Sequence, residues 1–177
     1  MIELYYDAYS IAYFIVSQEM GTKRTMEFIH TIYNAEKEFL HPYYHGNKKK
    51  FFLDVLYWSD YLVDKEKLDA EFPAIERDFQ FAGRKLDKES VMSDYPEFDL
   101  FFMILRLRIK YTGNQSYVRM KLRTLLKNYG YKRRSKALME HIMYCMMFYH
   151  IHPYLRNSEE CDIRIINLDD MITFRVI

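Results

Sequence analysis

The densest chemistry in the sequence lies in Asn128 to His141, NYGYKRRSKALMEH, where Lys132, Arg133, Arg134 and Lys136 put four cations into five positions. Cations at that density suit a polyanion, because each contact with a nucleic-acid phosphate releases condensed counterions. Arg134 and His141 in the same stretch are seven positions apart, about 20° from eclipsed on an ideal helix, so a guanidinium and an imidazole could share one substrate. Further on, His141, Cys145, His150, His152 and Cys161 fall within 21 residues. The first two are one helical turn apart, as a pair of zinc ligands would be. Asp169 and Asp170 are adjacent carboxylates, at a position where turn chemistry alone favours Asp.

Most of these candidates have a plainer account. No CxxC or HExxH spacing accompanies the His and Cys residues, so core thiols and loop histidines explain them, and no metal or cofactor is expected. The five Gly are scattered without a phosphate-binding loop, which sets a nucleotide-dependent enzyme aside. The Arg-His pairs, Arg134 with His141 and Arg24 with His30, resemble the R-x(4 to 6)-H motif of HEPN-type ribonucleases. That resemblance implies a small all-helical, metal-independent ribonuclease, its His doing acid-base chemistry at the RNA 2′-hydroxyl while the Arg steadies phosphate charge. It covers two residues at a time. The chain is therefore read as non-enzymatic, with the ribonuclease as an alternative.

Charge distribution carries more weight than any single motif. Residues 1–99 hold 12 Lys/Arg against 19 Asp/Glu, residues 100–139 hold 11 against none, and residues 140–177 hold three against six, all within a net charge of +1. Forty residues without a carboxylate call for an electrostatic explanation. The stretch faces either a polyanion or the chain's own acidic N-terminal part.

The elements that must position these residues are mainly helical, since 177 residues with four Pro and five Gly contain few breakers. The spacing predicts a first helix within ELYYDAYSIAYFIVSQEMG. A second follows from a cap at Thr22, with Met26, Ile29, Ile32 and Tyr33 as its stripe. A third, KKKFFLDVLYWSDYLVD, has Phe52, Val55, Leu56, Tyr57, Tyr61 and Leu62 on a broad apolar face. Residues 65–94 read as one or two helices, with Pro73 at a helix start, and form the boundary between two lobes, 1–94 and 95–177. In the second lobe Pro96 opens a buried helix with Phe98, Phe101, Phe102, Leu105 and Ile109 on one face. SYVRMKLRTLLKNYG reads as an amphipathic helix ended by Gly130, and Ser135 caps a third helix, KALMEHIMYCMMFYHI. HPYLRNSEE reads as a loop. DIRIINL and MITFRVI read as the two strands of a terminal β-hairpin, joined through Asp169 and Asp170.

Three helices followed by a hairpin resemble the plan of a winged helix-turn-helix over residues 95–177, although TGNQ holds no convincing counterpart of the short strand expected after the first helix. The resemblance implies a regulator that contacts nucleic acid, most naturally duplex DNA. Lys132, Arg133, Arg134 and Lys136 would sit at the N-terminus of the groove-entering helix, Arg119, Arg123 and Lys127 on the helix before it, and Arg164 and Arg175 on the wing.

The acidic N-terminal lobe, with 17 Tyr and 13 Phe in the chain as a whole, suits a protein partner or a homodimer contact. Tyr5, Tyr6, Tyr9 and Tyr13 recur near helical spacing and read first as a core face. A counter-defence protein of the anti-CRISPR or anti-restriction kind, binding and inhibiting a bacterial nuclease, is the alternative. No apolar run is long enough to span a bilayer, the N-terminus lacks the basic start of a signal peptide, and a reduced, cytoplasmic protein is expected from two Cys.

Overall fold

A computed structural model describes residues 4–63, 94–112, 115–156 and 159–177. The chain is mostly helical and divides into two compact units, Met1–Val91 and Met92–Ile177. Almost all of the charged stretch 65–94, with the helix start expected at Pro73, lies outside the described residues.

In the first unit α1 (Ala8–Ser17) starts on a capping box: an Asp7 carboxylate oxygen accepts from the Ser10 backbone N–H at 2.8 Å, and the Ser10 hydroxyl accepts from the Asp7 N–H at 3.1 Å. This reciprocal pair satisfies two of the donors that a helix start leaves open. The Tyr stripe is core, with Tyr6, Tyr9 and Tyr13 buried. Tyr9 meets Trp58 edge to face at 5.4 Å between centroids. The second helix, α2 (Thr22–Ala35), begins after Gly21, so Thr22 is its first residue and not its cap. Its buried positions are Thr25, Phe28, Ile29 and Ile32, while Met26, expected in the stripe, is exposed. The third helix, α3 (Lys48–Val63), buries Phe51, Val55, Trp58 and Leu62 and leaves Tyr57 exposed. Its apolar face is narrower than the residue types suggest and turned by about one position.

The second unit runs α4 (Pro96–Leu107), β1 (Val118–Lys121), α5 (Leu122–Asn128), α6 (Lys136–Phe148), β2 (Ile151–Tyr154) and β3 (Met171–Val176). The strands form an antiparallel sheet in the order β1-β3-β2. Val118 and Pro153 both stand opposite Phe174. The inner face of the sheet carries Ile172, Phe174, Ile151 and Pro153, all buried, and Phe174 meets Phe102 of α4 edge to face. Phe98, Phe102 and Leu105 of α4 are buried as expected, whereas Phe101 is half-buried.

Two expectations are corrected here. The helix expected over residues 116–130 begins as a strand, because β1 pairs with β3 before the chain turns into α5. The hairpin is also built from other residues: its first strand is Ile151–Tyr154, expected as the end of a helix and a loop, and DIRIINL forms turns. His150 makes the break after α6 with φ +52°. Pro153 is tolerated because β2 is an edge strand. In DIRIINL, Ile163 and Ile166 are buried three residues apart and Ile165 is 77% exposed, a turn spacing and not strand alternation.

No helix among the described residues is long and apolar enough to cross a membrane.

Candidate nucleic-acid interface

The basic turn between α5 and α6 is held by five residues. Gly130 ends α5 with φ +82°, a left-handed conformation in which a β-carbon would be strained. Tyr129 packs on Phe98 with 5.0 Å between centroids. The Tyr131 hydroxyl donates to Glu97 at 2.6 Å, and burial together with that carboxylate pushes its pKa up. Arg134 donates from its guanidinium to the backbone carbonyl of Ile166. Ser135 then caps α6, its hydroxyl accepting from the Leu138 N–H at 3.2 Å. Between these anchors Lys132 and Arg133 are exposed and make no ion pair among the described residues, as is also true of Lys127 one turn earlier. A hollow of about 370 Å³ opens beside them, its lining including Leu126, Tyr131 and Leu168 together with Arg123, Lys127 and Lys132.

The other expected site residues are placed differently. Arg123 is locked in a bidentate pair with Asp169, at 2.8 and 2.7 Å, and the Asp169 pKa is lowered chiefly by that hydrogen bond. Arg164 is held in the same way by Asp162, whose pKa is also lowered. Lys136 has only a loose contact with Glu140 at 3.8 Å. Arg134 spends its charge-assisted bond on a carbonyl, so it acts as a strut. Arg119 is on β1 and not on the helix with Arg123 and Lys127. Its Nε donates to Thr173 at 3.2 Å and its guanidinium lies 4.8 Å from the centre of the Tyr117 ring. Arg175 stacks on Tyr154 in the same manner at 5.3 Å. Register and alternation put Arg119, Thr173, Arg175 and Tyr154 on the outer face of the sheet. Lys121, exposed on that strand, falls on the same outer face, a position that a helical reading of the segment hides.

Arg134 and His141 each engage a partner of their own. Arg134 engages Ile166, whereas His141 is buried and bonds Asp99 through Nε2 at 2.6 Å. His30 is exposed and bonds Asn34. Asp99 is the partner that spacing could not reveal, 42 positions from His141.

No protein-family model matches this chain, and neither a curated protein nor a solved structure does.

Proposed function

We propose that the second unit is a winged-helix-type module through which the protein binds nucleic acid, most naturally duplex DNA, as a non-enzymatic regulator. The observation that carries this reading is the order helix, strand, helix, helix, strand, strand, with the central place in the sheet taken by the last strand. The short β1 supplies the strand that the sequence pattern lacked. In such a plan α6 approaches the major groove by its N-terminal turn. The exposed Lys132 and Arg133, set outward by the anchored residues on either side, support that role, with Lys127 and Lys136 close to them in sequence.

The refined contact set is Lys127, Lys132, Arg133 and Lys136, with Arg119 and Arg175 as outer sheet-face candidates. Arg134 holds the turn, and Arg123 and Arg164 are already neutralised by carboxylates. A mobility shift on duplex DNA tests this. Lys132→Ala/Arg133→Ala should weaken binding roughly tenfold to a hundredfold while the melting temperature stays at the wild-type value. Undiminished affinity in that folded variant would reject the assignment.

A further inference from the structure

Among the described residues, one group of metal-ligating side chains converges, and none of the basic turn's exposed cations belongs to it. Asp99 on α4 meets His141 and Cys145 on α6, and their ligand atoms all lie within 4.8 Å of one another. The Asp99 Oδ1 atom is 2.6 Å from His141 Nε2 and accepts from the Cys145 thiol at 3.4 Å. Cys145 is fully buried, and only 6% of the His141 side chain and 21% of that of Asp99 are exposed.

We propose that Asp99, His141 and Cys145 form a zinc-type metal site that clamps α4 to α6. A carboxylate oxygen, an imidazole nitrogen and a thiolate are a ligand set that zinc takes, and three protein ligands leave the fourth tetrahedral position for water. The partly exposed edge of Asp99 gives the ion and its water a route in.

Tetrahedral bond lengths require about 3.5 Å between the sulfur and oxygen ligands and about 3.3 Å between nitrogen and oxygen. The first separation is already present, the second needs an opening of less than 1 Å, and His141 Nε2 and Cys145 Sγ, within 4.8 Å of each other, must stand about 3.5 Å apart. On binding, zinc replaces the Cys145 thiol proton, which leaves to solvent, and the proton that His141 Nε2 shares with Asp99 passes through solvent to Nδ1, so that the neutral imidazole binds through Nε2. One divalent ion with one thiolate, one carboxylate and a neutral imidazole makes an electroneutral site, which is the charge state that burial favours. Without an ion the same groups hold a thiol against a carboxylate, and burial and Asp99 push the Cys145 pKa up. His141 and Cys145, one turn apart on one helix, present both ligands together, and Asp99 completes the set from α4. The site is independent of whether the basic turn binds nucleic acid.

The test is titration of the full chain with Co²⁺ and then with Zn²⁺. The wild type should take up one Co²⁺ with a thiolate-to-cobalt charge-transfer band and visible bands of four-coordinate intensity, all removed by one equivalent of Zn²⁺. Cys161→Ser should keep the band, because the chain has only two Cys. Cys145→Ser and Asp99→Asn should lose it or weaken binding at least tenfold, and the melting-temperature rise that zinc gives the wild type should vanish in both. If either variant fails to fold, the spectra of the wild type and Cys161→Ser decide. No charge-transfer band in those two proteins, or a band that survives in folded Cys145→Ser, overturns the proposal.

Discussion

The α5-α6 turn, with four cations and no carboxylate over residues 129–136, and the carboxylate-rich segment joining β2 to β3 treat cations in opposite ways. In the turn, Tyr129, Tyr131 and Arg134 face partners and leave Lys132 and Arg133 exposed. In the other segment Asp162 takes Arg164, and Asp169 takes Arg123 from across the fold. A count of Lys and Arg treats a paired cation such as Arg123 and an unpaired one such as Lys132 alike. The field that a phosphate would meet depends on which charges are already paired, and the turn offers unpaired ones beside anchored neighbours.

Breaking the support should have the largest effect. Phe98 is fully buried beneath Tyr129 and Tyr131, and Phe98→Ala should cost about 3–5 kcal/mol in urea denaturation. Removing the strut comes next. Arg134→Ala leaves the Ile166 carbonyl without its guanidinium donor and should cost about 1–3 kcal/mol, so it should lower the melting temperature as Lys132→Ala does not.

A smaller effect of opposite sign is expected in the second region. Asp162→Asn and Asp169→Asn release Arg164 and Arg123, and together they should raise affinity for duplex DNA a few-fold at low salt, with a steeper salt dependence.

The smallest effect is a pH dependence. Hydrogen bonds from Arg164 and Arg123 lower the pKa values of Asp162 and Asp169. A lowered carboxyl pKa adds stability that is complete above the ordinary carboxylate range and is lost as pH falls through the lowered value. Thermal melts between about pH 5 and pH 2 should therefore show a slightly larger acid loss in the wild type than in Asp169→Asn. Both carboxylates are on the surface, where solvent and salt screen the pairs.

The sequence made much of this architecture legible. Gly130 and Ser135 mark the ends of α5 and α6 through backbone chemistry that is local, and the α4 core face follows from spacing that a helix alone dictates. What escaped was set by partners distant in the chain. Val118 fits a helical period with Leu122 and Leu125, and its strand exists because β3, more than 50 residues later, pairs with it. Pro153 spoke against a strand until an edge position made it harmless. At the candidate interface the residue types could be read, but not all of their pairing. Asp162, two residues before Arg164, is a partner that the local sequence does show, whereas nothing near Arg123 in the pattern distinguished it from Lys132, because Asp169 reaches it only through the fold. Asp99 was hidden for the same reason, since 42 residues separate it from His141.

The most direct test is the slope of log affinity against log salt for duplex DNA, measured by fluorescence anisotropy in three proteins. Relative to the wild type, Lys132→Ala/Arg133→Ala should lose about one unit of slope for each cation, and Arg123→Ala/Arg164→Ala should change it by less than about half a unit. Equal losses in the two double variants, or an unchanged slope in a folded Lys132→Ala/Arg133→Ala, would contradict the account.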